Sequence, residues 1–93
     1  MRTIEATSQF KRDFKREAKG AHRDVLQNDF PTLLKTLASD QPLPEKHRDH
    51  GLTGEWKDHR DCHVKPDLVL IYRKLGADVL QLVRLGSHSE LGL

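Results

Sequence analysis

The apolar residues near the start of the chain recur with helical spacing. They follow one another at intervals of four and so share one face of a helix: Phe10, Phe14 and Ala18. Thr7 or Ser8 can cap the start of this helix, and Gly20 offers a left-handed stop at its end. The pattern therefore predicts a first helix with one side packed inward.

A second helix is predicted from Arg23 to Ala38. Its apolar positions keep the helical period, and they are Val25 or Leu26, Phe30, Leu33, Leu34 and Leu37. Pro31 falls inside this pattern and removes one backbone hydrogen bond, which predicts a kink there or a new helix start near Asp29. The two helices should form a hairpin, followed by an irregular segment at 39–44 and a loop at 45–51.

Beyond Leu52 the pattern changes to a period of two and to continuous apolar runs, which indicate strands. Three strands are predicted, with a turn at 76–78 between the last two: Arg60–Val64, Leu68–Arg73 and Val79–Arg84. Trp56 lies in a short connection or an edge strand before them. Because short connections make neighbouring strands antiparallel, the run Leu68–Tyr72, apolar on both faces, should be a central strand.

A short opening strand is predicted at Thr3–Ala6, where two β-branched residues are adjacent. The elements together predict an α+β fold in which two N-terminal helices pack on a small antiparallel sheet, with a short C-terminal helical turn. The helices should cover one face of the sheet and leave the other face, or one end of it, open for a ligand. A chain of 93 residues allows a single domain, 1–93, with a thin core.

Composition narrows the class of protein. With 35% hydrophobic and 32% charged residues, the chain has the composition of a soluble globular domain. No apolar run approaches the roughly 18 residues of a membrane span, and a polar segment follows Met1, so we expect a cytoplasmic protein. Cys62 is the only cysteine, which excludes an intramolecular disulfide and a multi-cysteine zinc site and favours a small buried strand residue.

Positive charge is concentrated on the first predicted helix. Six basic and two acidic side chains lie between Lys11 and Arg23, a local charge of +4 on a chain whose net charge is +2. Four of the basic residues occupy two adjacent rows of the helix surface: Lys11, Lys15, Arg12 and Arg16. A solvated helix face explains this pattern, and so does contact with a polyanion.

Histidines and carboxylates cluster around the predicted strand 60–64. Alternation along that strand places His59, Asp61 and His63 on the same side. His63 and Asp67 bracket the turn to the next strand, and His50 precedes the cluster. A structural hydrogen bond that fixes a histidine tautomer is one explanation of such a pair, and proton transfer is the other.

The tail of the chain carries another histidine in a distinctive setting. Ser87 and Glu90 fit the capping-box pattern, in which each side chain bonds the other residue's backbone amide. This turn would hold His88 in a fixed pose directly after the strand that carries Arg84. A frayed terminal histidine is the alternative.

Two chemistries can use these residues. A metal site is the first, because His47 and His50 are three apart and His59 and His63 are four apart. These pairs lie in predicted loop and strand rather than on a helix, so we predict no metal and no other cofactor. The second is metal-free cleavage of RNA, which needs a base for the 2′-hydroxyl proton, an acid for the 5′-oxygen and cations for the phosphorane. A complete set is available: His50, His63, Asp67, His88 and Arg84.

Several segments resemble one protein family closely. They are Asp49 to Leu52, Gly54 to Lys57, Arg60 to Asp67, Leu70 to Tyr72 and Arg84 to Leu91. The elements His-Val-x-Pro-Asp and Gly-Ser-His, at this separation, are similar to those of the YafQ branch of the RelE/ParE toxin superfamily. The resemblance spans nearly the whole chain.

The resemblance implies a bacterial type II toxin that cleaves mRNA on the ribosome and is held inactive by a cognate antitoxin, a DNA-binding protein of the DinJ/RelB kind. It also implies the RelE-like fold, which agrees with the elements predicted above. The family's catalytic positions fall on His50, His63, Asp67 and His88. We expect Asp67 to act as general base and His88 as general acid, with His50 and His63 orienting the phosphate. The expected RNA-binding positions are Arg84, Lys65, Arg60, Lys11, Arg12, Lys15 and Arg16.

The sequence departs from the family at one position. Family members often have an aromatic residue four positions after the histidine that matches His88, where it could stack on an RNA base, and this chain has Gly92. Trp56 is a possible stacking surface, although core packing is the usual role of a lone tryptophan.

Two other functions stay open on the sequence. One is a ParE-like toxin that inhibits DNA gyrase by binding, and the other is a degenerate member that only binds antitoxin or RNA. The clustered histidines favour the nuclease, because a binding module does not need four titratable groups at one site.

Overall fold

A five-stranded sheet forms the domain, with the two N-terminal helices on one face and the short C-terminal helix against the other. The computed structural model describes the whole chain, Met1–Leu93. Its strands are β1 (Thr3–Ala6), β2 (His50–Gly51), β3 (Arg60–Lys65), β4 (Leu68–Leu75) and β5 (Val79–Gly86), and its helices are α1 (Ser8–Ala18), α2 (Arg23–Ala38) and α3 (His88–Leu91). None of the helices combines the length and apolar character needed to cross a membrane. The predicted α+β fold is confirmed.

The strand order is β1-β5-β4-β3-β2. β3, β4 and β5 pair antiparallel, as predicted from their short connections, and β4 is central. β2, which was not predicted, pairs antiparallel with β3. β1 instead pairs with β5 in parallel, with Thr3 opposite Val79. Since most of the chain separates these two strands, no local sequence rule fixes their relative direction.

Alternation in β4 divides the apolar side chains between two faces of the sheet. Leu68, Leu70 and Tyr72 face the helices in a cluster of fourteen buried residues, where the rings of Phe10 and Phe30 stack at 6.2 Å. On the opposite face a smaller cluster joins Val69, Ile71 and Leu91, with Leu52, Trp56 and Val83 partly buried against it. Trp56 therefore packs in this second cluster, which is the core role considered for it above.

The predicted start of α1 is confirmed, whereas some other predicted helix boundaries are wrong. Thr7 is the N-cap, and its Oγ1 accepts a hydrogen bond of 3.0 Å from the Phe10 amide. The prediction of a left-handed stop at Gly20 is wrong, because Lys19 caps the helix in the right-handed conformation. Of the two alternatives predicted at Pro31, a new helix start near Asp29 is wrong. α2 continues through Pro31, which is exposed, so that water can bond the carbonyl group that lost its amide donor.

The segment 45–51 is more regular than the predicted loop. It contains a 3₁₀ turn at Glu45–His47 and the short strand β2, which pairs with the start of β3. A second 3₁₀ turn, Gly54–Trp56, occupies the connection for which an edge strand was one possibility. Tyr72 and Arg60 secure this region, because both donate hydrogen bonds to Asp49 Oδ1, at 2.6 and 3.3 Å.

A buried carboxylate fixes α1 against the end of β5. Asp13 Oδ2 accepts hydrogen bonds from Arg84 Nε at 2.7 Å and from the Leu85 amide at 3.0 Å, and Oδ1 accepts one from Arg16 at 3.1 Å. Burial alone would raise the pKa of Asp13, but these hydrogen bonds and the two guanidinium charges hold it below its usual range. Asp13 is thus an ionised group inside the fold that depends on its partners.

Candidate active site

Two of the predicted catalytic histidines are in contact. The rings of His63, from β3, and His88, from the first turn of α3, lie with centroids 4.9 Å apart and planes at 63°. A register shift between His63 and Lys65 leaves the extra residue Val64 in β3 and bends the strand at this point. The chain therefore brings together residues from two distant segments.

The predicted capping box is confirmed and holds His88. Ser87 Oγ accepts a hydrogen bond of 3.2 Å from the Glu90 amide, and Glu90 Oε1 accepts one of 2.9 Å from the Ser87 amide. Gly92 ends the turn with a positive φ of 72°. A side chain at this position would be strained, which gives a physical reason for glycine here.

A cleft of about 530 Å³ opens beside the two histidines. It is lined by Lys46, Arg48, His63, Pro66 and His88, with no acidic residue among them. Lys46 and Arg48 were absent from the predicted RNA contacts, although the consecutive basic residues 46–48 are a visible sequence signal. The cleft therefore combines two cations with two proton carriers, the set that a phosphate diester requires.

A larger groove of about 650 Å³ runs from this cleft along α2. It shares Lys46, His63 and Pro66 with the cleft and also has Thr32 and Thr36 in its wall. At the junction, His47 Nδ1 donates a hydrogen bond of 2.7 Å to the carbonyl of His63. The groove offers an extended strand a path that passes the two histidines.

The pKa of His63 is lowered, first by burial and then by the positive charge of His88, with smaller effects of Arg48 and His50; Asp61 opposes the shift. A lower pKa favours the neutral imidazole of His63 near neutral pH. His63 is therefore suited to accept a hydrogen bond or a proton.

His50 stands on β2 opposite a buried carboxylate. Its Nδ1 lies 2.8 Å from the carbonyl of Arg48 and 3.0 Å from Asp61 Oδ1. The single proton on Nδ1 is directed at the carbonyl, so Asp61 Oδ1 is left without a hydrogen bond although it is buried. Burial raises the pKa of Asp61, while the charges of His50, His63 and His88 act in the opposite direction. Asp61 is buried beneath these histidines, so it is placed to support them rather than to contact a substrate.

Asp67 adjoins the cleft through its chain neighbour Pro66 but is not part of the lining. It follows Pro66 in the β3–β4 turn, and its exposed carboxylate accepts a hydrogen bond of 3.1 Å from His22 Nε2. That hydrogen bond is the main reason that the pKa of Asp67 is below its usual value. No pattern in the sequence pointed to His22 as its partner.

Some of the predicted RNA-binding cations are paired with carboxylates and others are not. Arg84 and Arg16 are tied to Asp13, Lys65 lies 3.2 Å from Asp29, and Arg60 lies 3.3 Å from Asp49. Three others are exposed and form no ion pair: Lys11, Arg12 and Lys15. Arg84 therefore serves the fold first, and the cations in the cleft are Lys46 and Arg48.

The lone cysteine is buried in β3, as predicted. Burial raises the pKa of the Cys62 thiol and keeps it protonated. No group of three or more histidine, cysteine, aspartate or glutamate side chains is arranged to hold a metal ion.

Comparison with known proteins identifies the family. Residues 2–92 match the model of YafQ, the bacterial toxin of a type II toxin-antitoxin system. The mRNA interferase toxin YafQ of Escherichia coli K12 is 41% identical over 91 residues, covering 97% of this chain and 95% of the relative. The putative toxin YafQ of Haemophilus influenzae is 39% identical over 93 residues, covering 97% and 91%. The crystal structure of the E. coli DinJ-YafQ complex matches with a TM-score of 0.82 and 40% identity, covering 98% of each chain. The chain therefore belongs to the YafQ family of toxins of bacterial type II toxin-antitoxin systems.

Proposed function

We propose that this protein is an endoribonuclease that cleaves mRNA on the ribosome and so inhibits translation. The observation that carries the proposal is the contact between His63 and His88 in a cleft that also holds Lys46 and Arg48. Relatives that are 41% identical are named mRNA interferases, which supports the same activity here.

The reaction needs two proton transfers around one phosphate. We assign Asp67 as the base that takes the proton of the 2′-hydroxyl while the 2′-oxygen attacks phosphorus. The bond from phosphorus to the 5′-oxygen breaks, and protonated His88 gives its proton to that oxygen. The products are a 2′,3′-cyclic phosphate and a 5′-hydroxyl, and water is not consumed.

The remaining side chains stabilise the charge that develops on the phosphate. Lys46 and Arg48 supply fixed positive charge within the cleft, and His50 and His63 orient the phosphate oxygens. Asp61, buried beneath the histidines, stabilises positive charge on them. Lys65, Arg60 and Arg84 can bind flanking RNA only if they exchange their present carboxylate partners for phosphates.

A cognate antitoxin should hold this chain inactive. The structure of the DinJ-YafQ complex supports a partner of the same kind, since the matched chain is 40% identical over nearly its full length. We therefore propose a DinJ-like, DNA-binding antitoxin, encoded next to the toxin.

Translating ribosomes with a defined mRNA test the activity. We expect cleavage in the A-site codon by the wild-type protein and fragments that end in a 2′,3′-cyclic phosphate. The substitutions Lys46→Met and Arg48→Met should each lower the cleavage rate roughly tenfold or more, because each removes a charge from the developing phosphorane. Intact mRNA together with inhibited DNA gyrase would instead identify a gyrase toxin, and binding without either effect a degenerate member.

The exposed face of α1 should contact ribosomal RNA. Lys11, Arg12 and Lys15 project into solvent without carboxylate partners, as a phosphate-binding surface requires. We expect that reversing the charge of Lys11 and Lys15 weakens ribosome binding and flattens its salt dependence. The double reversal Lys35→Glu and Lys57→Glu, at exposed residues outside α1, is the matched charge change away from this face. Equal affinity and an equal salt slope for the Lys11 and Lys15 variant would exclude the contact.

A further inference from the structure

Asp67 is connected to α1 through a histidine that bridges two carboxylates. His22, at the corner between α1 and α2, has Nε2 at 3.1 Å from Asp67 Oδ1 and Nδ1 at 3.1 Å from Glu17 Oε1. An ionised carboxylate only accepts hydrogen bonds, so both contacts are made together when the ring is protonated and donates from both nitrogens. This arrangement specifies an imidazolium between Glu17 and Asp67.

The connection continues from Glu17 to the turn that carries His88. Glu17 Oε2 accepts a hydrogen bond of 3.0 Å from Arg16 Nε, and the same nitrogen lies 3.4 Å from Glu90 Oε2. The other oxygen of Glu90 accepts the hydrogen bond from Ser87 that closes the capping box. One line of polar contacts therefore runs from Asp67 to the residue next to His88.

Asp67 has little else to hold it. Its side chain is 76% exposed, and His22 is the only side chain paired with it. His22 is itself 17% exposed and so is packed more firmly than the carboxylate that it contacts. His22 is therefore the side chain that fixes the direction of the Asp67 carboxylate.

We propose that His22 is a positioning residue for RNA cleavage, which holds the Asp67 carboxylate in place and, through Glu17 and Arg16, ties it to the turn that carries His88. This inference rests on the proposed function, since it takes Asp67 as the base and His88 as the acid. It gives Arg16 a role in the spacing of the two proton-transfer groups. It also gives a reason for the series of polar contacts that joins Asp67 to the turn at residues 87–90.

Titration of His22 by NMR tests the bridge without any cleavage assay. Because the hydrogen bonds and charges of Asp67 and Glu17 outweigh burial, the pKa of His22 is raised in the folded protein. We expect the pKa of His22 to be lower in each of the single variants Asp67→Asn and Glu17→Gln than in the wild type. Lys19→Ala, at an exposed residue of the same helix end, is the control in which this pKa should be unchanged. A His22 pKa that does not respond to either substitution would overturn the bridge, even in an active ribonuclease.

A double-mutant cycle on the ribosome tests the role. At saturating toxin, His22→Ala should lower the single-turnover rate roughly tenfold to a hundredfold through misplacement of the base, with the half-saturating concentration unchanged. His22→Gln keeps a donor for Asp67 and should recover most of the rate. In the Asp67→Ala background, His22→Ala should cause no further loss, because it acts through Asp67.

Each failure has a different meaning. If His22→Ala lowers the rate by the same factor in the wild-type protein and in Asp67→Ala, the positioning role of His22 is overturned. The assignment of Asp67 as the base would then still stand. Full activity of Asp67→Ala would overturn both the positioning role of His22 and the base role of Asp67. The ribonuclease function would then still be tested by the His88 variant and by the chemistry of the cleaved ends.

Discussion

Replacing His88 with alanine is expected to lower mRNA cleavage on the ribosome by about 10² to 10⁴-fold, the usual contribution of a general acid. His88 lies against His63 in the cleft, and it is exposed, so its removal leaves the core intact. The loss should appear in the single-turnover rate rather than in ribosome affinity. Ser89→Ala, at the next exposed position of the same turn, is the matched control and should retain wild-type activity.

The chemical role of His88 can be separated from a role in binding. An mRNA with sulfur in place of the 5′-oxygen at the scissile phosphate has a leaving group that needs no proton. We expect the His88→Ala variant to cleave this substrate at nearly the wild-type rate. Equal defects on the oxygen and sulfur substrates would show that His88 is not the acid, and the neutral ring of His63 would then need the same test.

Replacing Asp13 with alanine is expected to lower the free energy of unfolding by about 3–5 kcal/mol, as is typical when one partner of a buried ion pair is removed. The substitution leaves the Arg84 guanidinium without its carboxylate and the Leu85 amide without an acceptor. Since this is a large part of the total stability of a small domain, Asp13→Asn, which keeps an acceptor, provides the variant that stays folded. Urea unfolding measures both, with Glu5→Gln on β1 as the exposed control.

The same network has a defined pH dependence. Because the folded-state pKa of Asp13 is below its unfolded value of about 3.9, its contribution is fully present above that value and is lost as pH falls through the folded pKa. The stability difference between wild type and Asp13→Asn should therefore shrink at low pH. A difference that is constant from pH 7 down to pH 2 would contradict the ionised state of Asp13 in the fold.

The elements were predictable because they depend on local pattern. The intervals of Phe10, Phe14 and Ala18 specify α1, and the run Leu68–Tyr72 specifies a strand buried on both faces. The new helix start near Asp29 does not occur, since an exposed helix position at Pro31 tolerates the missing donor. The direction of β1 could not be predicted, because its partner β5 lies at the far end of the sequence.

The site was predictable as a set of residue types but not as a set of contacts. His63 and His88 were expected to act together and lie in contact, whereas Arg84 was expected to face the phosphate and pairs with Asp13, 71 positions away. His22 reaches Asp67 across 45 positions, and no periodicity links them. Such pairings depend on how α1 and the sheet pack, which sequence spacing does not encode.

The parallel pairing of β1 with β5 affects the order in which the elements of the fold can form during synthesis. A chain that leaves the ribosome from its N-terminus can form α1, α2 and the β3–β4 hairpin from local contacts as each segment emerges. β1, made first, must wait for its neighbour until residues 79–86 have been made. The edge of the sheet, the Asp13 network and the turn that holds His88 are then completed together, so the candidate site forms only after β5 and the turn that follows it have been made.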